Sequence, residues 1–288
     1  MADTAADLVD RVLPWVPVRQ LVLSGPFGLR FAMAYDSRMM GSVLNVFVRA
    51  VFGDLRRRGR DRFGLRGGQC GAVTFVQRFC SALNLNVHFH MLALDGLSVE
   101  GVDGCPEFHP LPAPEDVEVV RLTALVSRRI QRLIERRYGD LNSEAAGLAR
   151  DEAGLAGLYA ASLRGRIASG PNVGKRIGRL GDYIDGESAE ALASPRCAMV
   201  HGFSVHANVV VPARDRSRLE RLCRYAARPP VATERLAELA DGRLSYELKR
   251  PWSDGTTHVV FEPVDFLAKL AALIPAPRVH MARYYVEH

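Results

Sequence analysis

Apolar positions toward the front of the chain fall at helical spacing. Val43, Val46, Phe47, Ala50 and Val51 recur near a period of about 3.6 residues, which predicts a helix over Ser37 to Arg58. A shorter helix is expected over Ala5 to Leu13, stopped by Pro14. From Gly71 the pattern turns to strand: AVTFVQRF, then LNVHFHMLALDG, which closes on an Asp-Gly turn at Asp95 and Gly96 and leads into LSVEG. Pro106 to Pro114 is a proline-marked connector. It is followed by a basic amphipathic helix over Val117 to Tyr138, bearing Arg121, Arg128, Arg129, Arg132, Arg136 and Arg137. Asp140 to Ser194, rich in Ala, Gly and charge, reads as helices and loops inserted between two sheet segments. Strand texture returns at CAMVHGFSVHANVVVP, with helices expected over Arg214 to Ala227 and again from Val231, beyond the stop at Pro229 and Pro230. LSYELKR and THVVFEP form a hairpin, and Val264 to Ile274 a final helix.

Strands and helices distributed this way predict an α+β fold, a central antiparallel sheet flanked by helices. Three regions follow: a helical N-terminal region with a basic stretch over 1–68, a core over 69–230 with a helical insertion at about 113–195, and a C-terminal hairpin and helix over 231–288.

The chain has 288 residues and is 48% apolar, enough for a substantial buried core. No run approaches the roughly 18 apolar residues needed to cross a bilayer, and no membrane role is expected. Acids at Asp3, Asp7 and Asp10 stand where a secretory signal would be basic, so a cytoplasmic location is expected. Five cysteines, Cys70, Cys80, Cys105, Cys197 and Cys223, lie at scattered spacings without a CxxC pair and read as reduced thiols. The net charge of +6, carried almost wholly by arginine, favours a polyanionic partner such as nucleic acid. Arg56, Arg57 and Arg58 open the densest basic stretch, a candidate phosphate contact or else a solvated helix end.

The HFH run carries the chemistry. Side chains alternate along a strand, so Val87, Phe89 and Met91 point to the core while His88 and His90 emerge together on the other face. Two imidazoles on one rigid strand form half of a divalent metal site, or two satisfied histidines on a half-exposed face.

The segment GAVTFVQRFCSALNLNVHFHMLALDG, with HGFSVHANV and LCRYAARPP in that order, resembles the HUH-class transposases of rolling-circle insertion sequences. The likeness is to the group typified by insertion sequence ninety-one and its common-region relatives. The resemblance covers nearly the whole chain. It implies an HUH-type core and a DNA nickase and strand transferase. Two histidines and one other polar residue would hold Mg²⁺ or Mn²⁺ against the scissile phosphate, and a tyrosine would attack it to give a 5′-phosphotyrosine. The partner implied is single-stranded DNA at the ends of a mobile element, in a bacterial cytoplasm and with the nucleoid when bound.

Tyr225 in RLCRYAARPP matches the family's tyrosine motif, on a helix that Pro229 ends within about one turn. Two-tyrosine members carry a second tyrosine four residues earlier, where this chain has Arg221. It therefore resembles the one-tyrosine branch, in which two tyrosines act alternately on donor and target only if two subunits of a homodimer each lend one. Some HUH enzymes place Gln or Glu four residues after the second histidine, where this chain has Leu94. Candidates for the third ligand are Gln77 and His206, each of which reads equally as an ordinary polar residue on a solvated face. Arg224 and Arg228 flank the tyrosine and suit phosphates on either side of the cleavage point, or a solvated helix face. Lys249, Arg250 and Trp252 combine cations with an aromatic that suits an unpaired base, hairpin packing being the alternative for Trp252. Full-length relatives resemble a larger protein with a cysteine-rich zinc module ahead of this segment and a longer tail, so a truncated element is expected. The rival readings are a remnant that binds single-stranded DNA without cleaving it, and an unrelated metallohydrolase built on His88 and His90.

Overall fold

The computed structural model describes residues 2–80, 83–137, 154–164, 166–168, 173–176, 178–181, 195–249, 251–252, 254–275 and 279–286. The fold is α+β, as expected. Its centre is an antiparallel six-stranded sheet in the order β12-β2-β3-β1-β8-β7: β1 is Val18–Ser24, β2 Gly71–Phe79, β3 Leu85–Leu94, β7 Cys197–Val200, β8 Phe203–Val211 and β12 Ala282–Val286. A second sheet joins β6 (Gly178–Gly181), β11 (Thr256–Phe261), β10 (Leu244–Glu247) and β9 (Leu236–Glu238).

Both faces of the central sheet are covered. One carries Leu21, Leu23, Val87, Phe89 and Met91 into the larger core, under α2 (Phe27–Tyr35), α3 (Ser37–Phe63) and α4 (Asp116–Arg137). This core also takes in α5 (Leu155–Leu163), α7 (Pro263–Leu273) and, from the second sheet, Tyr246, Val259 and Phe261. The other face packs Val73, Phe75 and Leu92 against Leu219, Cys223 and Ala226 of α6 (Arg216–Ala226) and against the N-terminal α1 (Ala2–Asp7), whose last turn widens to a π-turn at Leu8–Val12. Helix α3 is amphipathic as the spacing predicts, burying Val43, Phe47, Ala50 and Val51, and it stops where Gly64 takes the left-handed conformation (φ +68).

Several expectations need correction. The front is not wholly helical: β1 lies between β3 and β8 at the middle of the sheet, so residues before 69 build the core that the 69–230 boundary set apart. Arg19 and Gln20 hide that strand in the sequence, yet both are buried, because distant strands supply their partners. Asp95 is more than a turn residue: Arg19 donates to it through Nε at 2.9 Å and Nη2 at 2.6 Å, and through Nη1 to the Ala207 carbonyl at 2.8 Å, tying β3, β1 and β8 together. LSVEG leaves the main sheet as β4 (Gly96–Glu100) and pairs with β5 (Pro106–Pro110), which replaces the expected connector. Gly96 is required there, since a Cβ would sit 2.3 Å from the His109 carbonyl oxygen. No helix starts at Val231; a 3₁₀ turn at Thr233–Arg235 leads into β9 instead. Tyr284 and Tyr285 lie in edge strand β12, with Tyr285 packed on the core. Tyr138 and most of Asp140 to Ser194 lie outside the described residues. Among the described residues no helix is long and apolar enough to cross a membrane.

Candidate functional site

His88 and His90 share the sheet face that carries α6, their ring centroids 4.9 Å apart. Their inner nitrogens, Nδ1, are fixed first. The Asn86 carbonyl can only accept, so at 2.7 Å it takes the proton of His88 Nδ1 and leaves the Nε2 lone pair bare. His90 Nδ1 lies 2.9 Å from the Gln20 amide, whose two ends are isosteric. With the Gln20 oxygen turned to Nδ1–H, His90 Nε2 also keeps its lone pair. That Nε2 is buried and has no hydrogen-bond partner. Burial pushes the pKa of His88 down to about 4 and that of His90 to about 3, so both rings are neutral at physiological pH, as metal ligation requires.

Gln77 pairs in register with His88 on the neighbouring strand and therefore shares its face. Its Nε2 donates to the carbonyls of Tyr225 at 3.2 Å and Ala226 at 2.8 Å, while its Oε1 is buried without a partner. Gln77 thus clamps the end of α6 to the sheet and presents an unused acceptor. His206 faces the same way from β8, but β1 stands between it and His90, and its Nε2 lies 3.2 Å from Cys197 Sγ. It does not join the pair. Among the described residues no three His, Cys, Asp or Glu side chains gather as a metal site. An amide oxygen beside two imidazoles is a donor set of other composition. It fits a hard divalent cation that keeps several waters.

Asp215 caps α6 by accepting from the Arg218 amide at 3.0 Å, and the helix ends just before Pro229, which leaves Tyr225 in its last turn. The ring stands edge-on to His90 at 5.7 Å and is 36% exposed, so its hydroxyl is accessible to a ligand. Arg228 lies over this ring at 4.4 Å and over Phe79 at 5.5 Å; Lys249 Nζ lies over the tyrosine at 4.9 Å. The three open onto a cleft of about 860 Å³ that Phe79, Arg235, Tyr246 and Trp252 also line. Trp252 therefore both packs on the core and borders the cleft.

Other expected cations lie elsewhere. Arg224 is paired with Glu220 one turn back on α6. Arg57 is shared among Asp54, Asp61 and Glu118, Arg58 is 2% exposed against Glu118 and the Pro112 carbonyl, and Arg56 Nε donates to the Gly68 carbonyl at 3.1 Å. The expected phosphate contact at Arg57 and Arg58 is instead an ion network joining α3 to α4, because acids from α4 meet the arginines there. Arg250 lies outside the described residues. Sequence reasoning missed Gln20 and Asn86 as partners of the histidines. Asn86 was visible only as a neighbour of HFH, and Gln20 carried no signal, being 70 positions from His90.

A family model described as "Putative transposase" matches residues 71–286. Searches of curated proteins and of solved structures found no match. The matched span begins at β2 and runs through both histidines, Tyr225 and β12; by this match the chain belongs to the putative transposase family, a family that cuts and rejoins DNA.

Proposed function

We propose that this transposase nicks and rejoins single-stranded DNA by a rolling-circle mechanism, with Tyr225 as nucleophile. The observation that carries the reading is the position of Tyr225, its ring 5.7 Å from that of His90, with two cations over it and on an open cleft. His88 Nε2, His90 Nε2 and Gln77 Oε1 would hold Mg²⁺ or Mn²⁺. When bound, the cation supplies Lewis acidity that draws charge from the phosphate.

The protein's own groups do the rest. A neutral phenol is a weak nucleophile, and the Arg228 and Lys249 cations over the ring stand where negative charge gathers on the phosphate in the transition state. Tyr225 Oη gives up its proton to solvent water and bonds to phosphorus. The bond from phosphorus to the 3′ oxygen breaks, and that oxygen takes a proton from solvent water and leaves as a free 3′ hydroxyl. Attack by a 3′ hydroxyl on the 5′-phosphotyrosine reverses the step and releases Tyr225. Trp252, at the border of the cleft, suits an unstacked base, which every single strand offers. Arg221 stands one turn before Tyr225, where a second nucleophile would sit, so one tyrosine acts per chain and a homodimer supplies the second strand exchange.

The test is a denaturing gel of labelled single-stranded DNA from an element's ends, incubated with Mn²⁺ or EDTA. A slow covalent adduct that needs Mn²⁺ and vanishes in Tyr225→Phe is expected. Binding without an adduct across several end sequences would instead establish a non-cleaving DNA-binding protein.

A further inference from the structure

Two arginines near the histidine pair have no carboxylate partner among the described residues, whereas several others do. Arg19, Arg57, Arg58, Arg62 and Arg224 each face a carboxylate within ion-pair distance. Arg30 and Arg228 have none among the described residues, and in both the Nε is buried without a hydrogen-bond partner. Arg228 borders Tyr225. Arg30 sits in the first turns of α2, beyond the end of β1, and its Nη1 donates to Asn86 Oδ1 at 3.1 Å. The carbonyl of that same Asn86 accepts from His88 at 2.7 Å. One residue therefore holds the ring with its backbone and the guanidinium with its side chain.

A half-buried guanidinium whose Nε has no acceptor carries a desolvation cost that the single Asn86 contact of Arg30 offsets only in part. A phosphate is the acceptor that its planar fork fits best. Arg78, whose Nε is also unpartnered, is different: it is 4% exposed, and its Nη atoms donate to the Ala34 and Ala272 carbonyls.

We infer that Arg30 is a phosphate-holding residue of the site, taking a backbone phosphate of the bound single strand next to the one presented to Tyr225. The inference rests on the strand-cleaving reading above. Arg228 and Arg30 then grip successive phosphates, and the strand is held taut across the histidines.

Equilibrium binding tests this without cleavage. Anisotropy of a fluorescein-labelled single-stranded oligonucleotide, in EDTA, gives affinity and its salt dependence. Each phosphate contact contributes about 0.7 to the slope of log K against log salt. Arg30→Gln should bind roughly tenfold more weakly, a loss of about 1.4 kcal/mol, with the slope shallower by about 0.7. Arg30→Lys should recover the slope, and Arg30→Met takes the place of the glutamine variant if that one does not fold. A methylphosphonate scan should find one position that weakens the wild type and leaves Arg30→Gln unchanged. An Arg30→Gln protein with wild-type slope and affinity, or equal losses for both proteins at every scanned position, overturns the inference. Tyr225 adduct formation is read separately, so that outcome leaves the nickase reading standing.

Discussion

Gln77 does two jobs through one amide. Its nitrogen fixes the carbonyl end of α6, and through it Tyr225, while its oxygen stands unpartnered beside His88. His206 has neither property, being held at Cys197 beyond β1. The two candidates therefore separate in a calorimetric Mn²⁺ titration: Gln77→Ala should lose tenfold or more in affinity, on the order expected for a lost ligand, and His206→Ala should stay close to wild type. Gln20 acts one step out. Because the partner of the inner nitrogen sets which nitrogen is bare, Gln20→Leu should lower Mn²⁺ affinity by roughly 10- to 100-fold without touching the metal.

Among the elements, α3 and α4 are joined by charge as well as by packing. Glu118, 8% exposed, meets Arg57, Arg58 and Arg62 at 3.3 to 3.5 Å. Glu118→Ala strands the buried Arg58 charge and should lower unfolding free energy in urea by about 3–5 kcal/mol, with the salt slope of DNA binding unchanged. An unchanged stability would show that Arg58 finds another acceptor. Helices α3, α4 and α7 and strands β2, β3, β8, β10 and β11 were legible because each keeps one periodicity over its length. Strand β1 was not, because Arg19 and Gln20 break its apolar run and become buried only through Asp95 and His90. The same physics divides the site. HFH and Tyr225 announce themselves locally, whereas Gln20, Asn86 and Arg30 owe their places to contacts across 56 or more positions or to a backbone carbonyl.

For the whole molecule, the histidine pair sets an acid limit in metal-free protein. Unfolded histidines take up protons below about pH 6.5, and the folded ones refuse them until about pH 4 and 3. In that window the unfolded state binds more protons, so stability is full above pH 6.5 and falls as the pH drops toward 4. Urea midpoints of the EDTA-treated protein should show this fall, and the double variant His88→Phe, His90→Phe should flatten it. The central strand β1 has a different consequence, one of time. It is synthesised first, yet its partner β8 is made last among its neighbours, with Arg19 and Ala207 separated by 188 positions. A growing chain can pair Leu21 and Leu23 with β3 early, but the other edge of β1 stays open until β8 has left the ribosome. Closing so long a loop late makes folding slow and leaves an unpaired strand edge exposed meanwhile. The yield of native protein should therefore depend on chaperone capacity during synthesis more than on the stability of the finished fold.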